Sequence, residues 1–298
     1  MPNIYTHQIL AEKVKELLPE RILPYVAKDK QYYFGAQGGD VFYLYKMGEG
    51  QKNLGKYLHR KNVYTVFCRF FDAAKEGDEY VTSYIAGYIT HYAGDIVFHP
   101  YVYSLLHRLE YEETDNWKGN RHALIESDLD GYFVQKFKGI SPLEYKYPLT
   151  FSDISYEKLC RLMENSTEER TKRNVHLRAF RSAIKRYFRY NRWVYDRTGR
   201  KNKFVYGVEK ILKIPHALSP MIHRADYDAR FLNLEHMAWR DPEDDSLVFT
   251  DGADELFSRA VSESVRLITR FFDCVEKNEL PDSADFSKHF LTGQPLEN

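Results

Sequence analysis

Residues 90 to 100, THYAGDIVFHP, set His91, Asp95 and His99 four positions apart. At about 100° and 1.5 Å per residue of α-helix, the three side chains fall within about 80° of one another, on one face. His91 and Asp95 then stand about 6 Å apart along the axis, close enough to grip one ion. His99, about 12 Å from His91, must serve a different one. Pro100 disfavours α geometry at His99, which predicts an imidazole swung out at a helix end. The competing reading is a polar stripe on a tyrosine-rich helix. His122 and Glu126 form a second pair at i, i+4, a spacing that chelates well and that also makes an ordinary surface hydrogen bond. His7, Asp40 and His59 add two imidazoles and a loop carboxylate, each on or beside a predicted helix.

The elements that must position these residues are helical. THQILAEKVKELL puts Ile9, Leu10, Val14, Leu17 and Leu18 on one stripe, with Thr6 as the candidate N-cap and Pro19 as the stop. GAQGGDVFY is a glycine-rich break. NLGKYLHRKNVYTVFCRFFDAAK predicts one long helix, and YVTSYIAGYITHYAGDIVFHPYVYSLL another, interrupted near Pro100. A third begins near NRHALIESDLDGYFVQKF. Beyond Gly139 come SYEKLCRLMENS, the basic helix TEERTKRNVHLRAFRSAIKRYFRYNRWVYD, a glycine-broken basic loop, and the amphipathic DGADELFSRAVSESVRLITRFFDCVEK. With few alternating patterns and no repeat period, the fold class is all-α.

Composition bounds the rest. A chain of 298 residues, 43% hydrophobic and 15% aromatic, has enough apolar material for one sizeable core, so a single domain over residues 1–298 is expected. The net charge is zero, yet Asn165 to Lys213 holds fifteen Lys and Arg against four acidic residues, so the remainder is net acidic. Cys68, Cys160 and Cys274 are odd in number and lack paired spacing, which fits a reducing compartment. No signal-like lead and no apolar run near eighteen residues is present, so the expected location is cytoplasmic, with no transmembrane segment.

Taken together in chain order, these residues resemble the zinc-dependent phospholipase C family, with a more distant similarity to the single-strand-specific trinuclear-zinc nucleases. The family's ligand order is an N-terminal amine, His, Asp, His, then H-x3-D with a following His, then H-x3-[ED]. This chain supplies each over roughly residues 1 to 135, while its carboxyl half is similar to intracellular members only through FLNLEHMAWRDP and the closing FLTG. The resemblance implies a multi-helix bundle around a trinuclear site of up to three Zn2+ ions. Asp40 in GGD, His59 in YLHR, His91 and Asp95 match the first zinc's ligands, with Asp95 bridging to the second. His7 matches the second zinc's imidazole. His99, His122 and Glu126 match the third's. Secreted relatives expose a tryptophan amine, whereas this chain begins Met1-Pro2; removal of Met1 would offer the Pro2 amine to the second zinc, and retained Met1 could substitute. Twenty-three positions separate His99 from His122, so His107 competes for the third site; His122 is preferred because it carries Glu126.

Oxygen and nitrogen ligands without cysteine suit zinc in an open, hydrolytic site. Two zincs sharing Asp95 would lower the pKa of a water between them toward neutrality, and the resulting hydroxide would attack phosphorus. The third would stabilise the leaving oxygen or a non-bridging phosphoryl oxygen. Asp40 is the candidate general base, and a pure ligand role is equally open. The substrate expected from the resemblance is a phosphate ester, either a phospholipid headgroup or another phosphodiester, with nucleic acid as an open alternative because fold and metals alone do not select. RAFRSAIKRYFRYNRW interleaves cations with aromatics, which suits anionic headgroups or a phosphate backbone with stacked bases. It equally suits a solvated face whose Phe180, Ile184 and Phe188 pack inward. Nothing after the helical part is long enough for the β-sandwich through which secreted lipases of this family touch membranes, so peripheral membrane contact is left open. The alternatives to a phospholipase C-like phosphodiesterase are a trinuclear-zinc nuclease or phosphatase of the same fold and a non-catalytic, metal-stabilised helical binder.

Overall fold

A computed structural model describes residues 4–43, 45, 54–60, 62–112, 120–167, 176–214 and 216–295. The fold is all-α. Its helices are α1 (Ile4–Leu17), α2 (Asp29–Gly35), α3 (Leu54–Arg60), α4 (Val63–Ala74), α5 (Glu79–Glu112), α6 (Arg121–Lys138), α7 (Tyr156–Thr167), α8 (Leu177–Val194), α9 (Arg200–Ile211), α10 (Ala253–Lys277) and α11 (Ser283–Phe286). Short 3-10 turns join several of them, and one antiparallel pair, β1 (Trp239–Arg240) with β2 (Val248–Phe249), sets Trp239 opposite Phe249. None of the helices among the described residues is long and apolar enough to cross a membrane.

The chain packs as two compact units: the first takes Met1–Ile9, Phe98–Pro148 and Tyr190–Ser258, the second Leu10–Val97, Leu149–Arg189 and Arg259–Asn298. The second unit is built on a close helix crossing. A Cβ on Gly87 of α5 would lie 2.0 Å from the Tyr32 carbonyl oxygen, and one on Gly35 of α2 would lie 2.2 Å from that of Tyr84, so only two glycines let these backbones meet. Tyr32, fully buried, ties α2 to α1 by donating its hydroxyl to Ala11 O at 3.0 Å. Around it, Phe67 packs against Phe70, Tyr88, Tyr92 and Phe286. In the first unit, Phe133 of α6 lies between Phe98 and Phe257, and Tyr101 donates to Phe231 O at 2.9 Å while packing on Trp239.

Four expectations change. α5 runs unbroken through Pro100. Proline inside a helix costs about 3 kcal/mol, but Phe98, Tyr101, Val102 and Leu105 are buried there, each contributing about 1.5–3 kcal/mol, so packing wins. His99 therefore stands in helical register rather than at a helix end. The expected helix from Asn53 onward is two, α3 and α4, because Asn62 takes the left-handed conformation at φ 53°. Thr6 does not cap α1 from outside; the helix begins at Ile4 and the Thr6 side chain bonds elsewhere. The basic loop after Gly199 is instead α9, because Gly199 at φ 67° serves as its N-cap residue. The start of the expected basic helix, residues 168 to 175, lies outside the described residues.

The inward-packing reading of α8 fits its geometry. Phe180 and Ile184 are fully buried, Phe180 stacks on Phe42 at 4.9 Å and Phe188 on Phe34 at 6.0 Å. Arg181 and Lys185 lie over the Phe151 ring, as cations on a solvated face do.

Candidate metal centre

In the second unit, four side chains from three separate elements converge. The 3-10 turn Gly38–Phe42, which follows α2, presents Asp40; α3 presents His59; α5 presents His91 and Asp95. All are buried, none more than 5% exposed. His59 Nε2 lies 3.2 Å from His91 Nε2, 3.2 Å from Asp40 Oδ1 and 3.6 Å from Asp95 Oδ2, and His91 Nε2 lies 3.4 Å from Asp95 Oδ2. A tetrahedral zinc with bonds of roughly 2.0–2.1 Å has donor atoms about 3.3 Å apart, so this donor set fits the ion in both chemistry and spacing. His59 Nδ1 donates to Gly55 O at 2.7 Å, which fixes the tautomer and leaves the Nε2 lone pair for a metal.

Two glycines make room for the imidazoles. Gly38 has φ +49°, and a Cβ there would fall 1.9 Å from His91 Cδ2; on Gly39 it would fall 2.6 Å from His59 Cε1. What looks from the sequence like a break is the floor under the two rings.

In the first unit, His99 of α5 meets His122 and Glu126 of α6, with donor atoms within 4.8 Å of one another. His122 Nε2 is 2.7 Å from Glu126 Oε1, and His99 Nε2 is 3.7 Å from the same oxygen. Burial pushes the Glu126 carboxyl up, but the adjacent His122 overcomes it and holds the group well below the usual carboxylate range. This second donor set, two imidazoles and a carboxylate, also suits zinc. His107 is exposed and belongs to no such cluster among the described residues.

His7 is buried on α1 in the first unit. The first turn of α1 is held there by Asp130 of α6, which accepts from Tyr5 N at 3.1 Å and from Thr6 N and Oγ1 at 2.6 Å. Tyr5 also donates its hydroxyl to Tyr145 O at 2.7 Å. Burial raises the Asp130 carboxyl to about 7 against the lowering effect of the Thr6 bonds. Sequence reasoning passed over Asp130, although His122, Glu126 and Asp130 form an i, i+4, i+8 stripe that could have flagged it. Pro2 lies outside the described residues.

The sequence model of the zinc dependent phospholipase C family matches residues 6–196, more than half of the chain. The chain belongs to this family. No curated protein and no solved structure matches it. Family membership supports a zinc-dependent phosphoesterase acting on a phosphate ester, and the buried His and carboxylate clusters support Zn2+ as its metal.

In this zinc dependent phospholipase C family member, the matched range stops well before a residue that touches the second unit's cluster. Phe290, fully buried, packs on the His59 ring at 4.9 Å and the His91 ring at 5.8 Å. It is held by Tyr92, whose hydroxyl accepts from Lys288 N at 2.9 Å and donates to Asp285 O at 3.2 Å. The closing FLTG segment thus has a place beside the candidate ligands. Phe290→Ala is expected to loosen both rings, lowering zinc affinity about 10-fold and stability by roughly 3 kcal/mol. A competitive zinc titration with a thermal melt checks this; unchanged affinity would mean that the rings need no such support.

Proposed function

We propose that the chain is a phosphoric ester hydrolase of phospholipase C type, with a single functional domain over residues 1–298 and up to three zinc ions. The observation that carries this reading is the convergence of Asp40, His59, His91 and Asp95 at tetrahedral-edge spacing. These four would hold one zinc, and His99, His122 and Glu126 another. A further zinc, with His7, a bridging Asp95 and the amine of Pro2 as its ligands, is proposed from the sequence resemblance.

Bound zinc would supply Lewis acidity, lowering the pKa of a water so that hydroxide attacks phosphorus, and neutralising charge on the phosphoryl oxygens. Asp40 keeps a second carboxylate oxygen with which to orient that water and accept its proton. The backbone carbonyl of Gly55 keeps His59 in one tautomer throughout. Phe290 shields the imidazoles from solvent, which strengthens electrostatic interactions inside the site. A phospholipid headgroup or another phosphodiester is the proposed substrate. A cytoplasmic location, in keeping with the free thiols of Cys68, Cys160 and Cys274, belongs to the same proposal.

Zinc counting on the purified protein, followed by parallel hydrolysis of bis-nitrophenyl phosphate, phosphatidylcholine and single-stranded DNA, tests it. Lipid headgroup release without DNA cleavage is the expected outcome. Fewer than one zinc per chain and no hydrolysis would leave only the helical-binder alternative. Glu126→Gln should remove one zinc and leave the rest, because the amide keeps the shape of the carboxylate and loses the charge that offsets the cation. Metal analysis distinguishes loss of one ion from loss of all.

A further inference from the structure

Within the first unit, α9 is anchored the wrong way round for an ordinary surface helix. Phe204, Val208, Ile211 and Leu212, at i, i+4, i+7 and i+8, lie within about 100° of one another, the spacing of a buried face. They are 72%, 38%, 81% and 61% exposed. Ile214 and Leu218, just beyond the helix, extend the exposed apolar surface.

The inward face is the polar one. Glu209 is buried and accepts from Leu218 N, from Ser219 N at 2.9 Å and from Ser219 Oγ at 2.7 Å. Asn202 donates its side-chain amide to Ser219 O at 2.7 Å and Ile222 O at 3.0 Å, and its backbone N–H to Asp196 at 2.8 Å. Six specific hydrogen bonds on the inner side therefore hold the apolar side outward. Lone exposed apolar residues need no explanation, but a contiguous patch fixed in place by such bonding marks an interaction surface.

Its charge identifies the partner. Between Arg197 and Lys213 the chain carries Arg197, Arg200, Lys201, Lys203, Lys210 and Lys213, and its one acid, Glu209, is the residue turned inward. Arg200, Lys203 and Lys210 flank the apolar stripe on one side. A second copy of this face would bring cations against cations. Val208, Ile211 and Leu212, three of the four stripe residues, are aliphatic and offer nothing for a nucleic-acid base to stack on, which leaves Phe204 as a single ring rather than a run of stacking platforms. An apolar stripe with a cationic rim instead matches a helix lying in the plane of a bilayer surface, its stripe among the acyl chains and its rim at anionic headgroups. We propose that α9 is the face by which this protein docks on an anionic lipid surface. The inference goes beyond the metal centre and depends on neither zinc nor catalysis.

The experiment is co-sedimentation of the zinc-loaded full chain with vesicles of phosphatidylcholine alone and of phosphatidylcholine mixed with about one third phosphatidylserine. The wild type should bind the mixed vesicles at least about 10-fold more tightly than the neutral ones, and this preference should collapse in molar salt. Phe204→Ser with Ile211→Ser should weaken binding to mixed vesicles at least about 10-fold by removing the inserted groups. Lys203→Glu with Lys210→Glu, at exposed positions, should erase the preference for phosphatidylserine. Both variants should keep the wild-type melting temperature and the wild-type rate on a soluble phosphodiester. Absence of that hydrolysis in all three proteins would count against the hydrolase reading and leave the docking result standing. The docking proposal is overturned if the wild type ignores both vesicles, if the serine variant binds as the wild type does, or if sedimentation velocity shows a wild-type dimer that the serine variant breaks.

Discussion

Asp95→Asn is expected to strip bound zinc and abolish turnover while leaving the helices in place. Asp95 is buried, with its Oδ2 atom 3.4 Å from His91 Nε2 and 3.6 Å from His59 Nε2. Asparagine fills the same volume, so packing is kept. It removes one of the two negative charges, beside that of Asp40, that would offset a dication in this buried cluster. Where Asp95 bridges two ions, both should leave together, in contrast to the single loss expected for Glu126→Gln. Loss of activity should exceed about 100-fold, the upper end for residues that only support a metal ligand. Zinc stoichiometry by elemental analysis, beside far-ultraviolet circular dichroism, is the measurement; full zinc content with full activity would sink the assignment.

Gly38→Ala should be nearly as damaging, although it removes no ligand. At φ +49° a side chain costs about 1–3 kcal/mol in backbone strain alone. The added methyl would also sit 1.9 Å from His91 Cδ2, well inside contact distance, so the imidazole must move. His91 Nε2 would then leave its place 3.2 Å from His59 Nε2, and the donor set would open. Gly77→Ala is the control. Gly77 also has positive φ, at +73°, but a Cβ there meets nothing within 4 Å. Both variants should lower the melting temperature, and only Gly38→Ala should lose zinc. Equal zinc retention in the two would show that strain, not contact with the ring, is what matters at residue 38.

The helical donors were legible in the sequence because a helix converts spacing into direction. His91 with Asp95, and His122 with Glu126, each four apart, announce a shared face without any knowledge of the fold. Asp40 and His59 were legible only through family order, since a 3-10 turn and a seven-residue helix leave no periodic trace. The role of Gly38 was hidden for a different reason: glycine written in sequence signals freedom, whereas here it signals the nearness of a ring contributed from more than fifty positions away. Pro100 misled because its local cost is small beside the burial around it. α9 misled twice, first because Gly199 reads as a breaker when it is the N-cap residue, and then because an apolar stripe normally implies a buried one. Phe290 opens the FLTG that the resemblance singled out, but spacing gave it no role; its contacts with His59 and His91, and the tether through the hydroxyl of Tyr92, show where that segment goes.

That tether has a consequence for how the protein comes to life. The second unit gathers its chain from residues 10–97, 149–189 and 259–298, so its contacts are long-range and closure of its loops is slow. On the ribosome, the imidazoles at 59 and 91 emerge long before the aromatic cover at 290. Phe290 can pack on the two imidazoles only once that residue has been synthesised. The ring that covers His59 and His91 is therefore among the last parts of the second unit to be made, and closure of the cluster waits on the carboxyl-terminal segment.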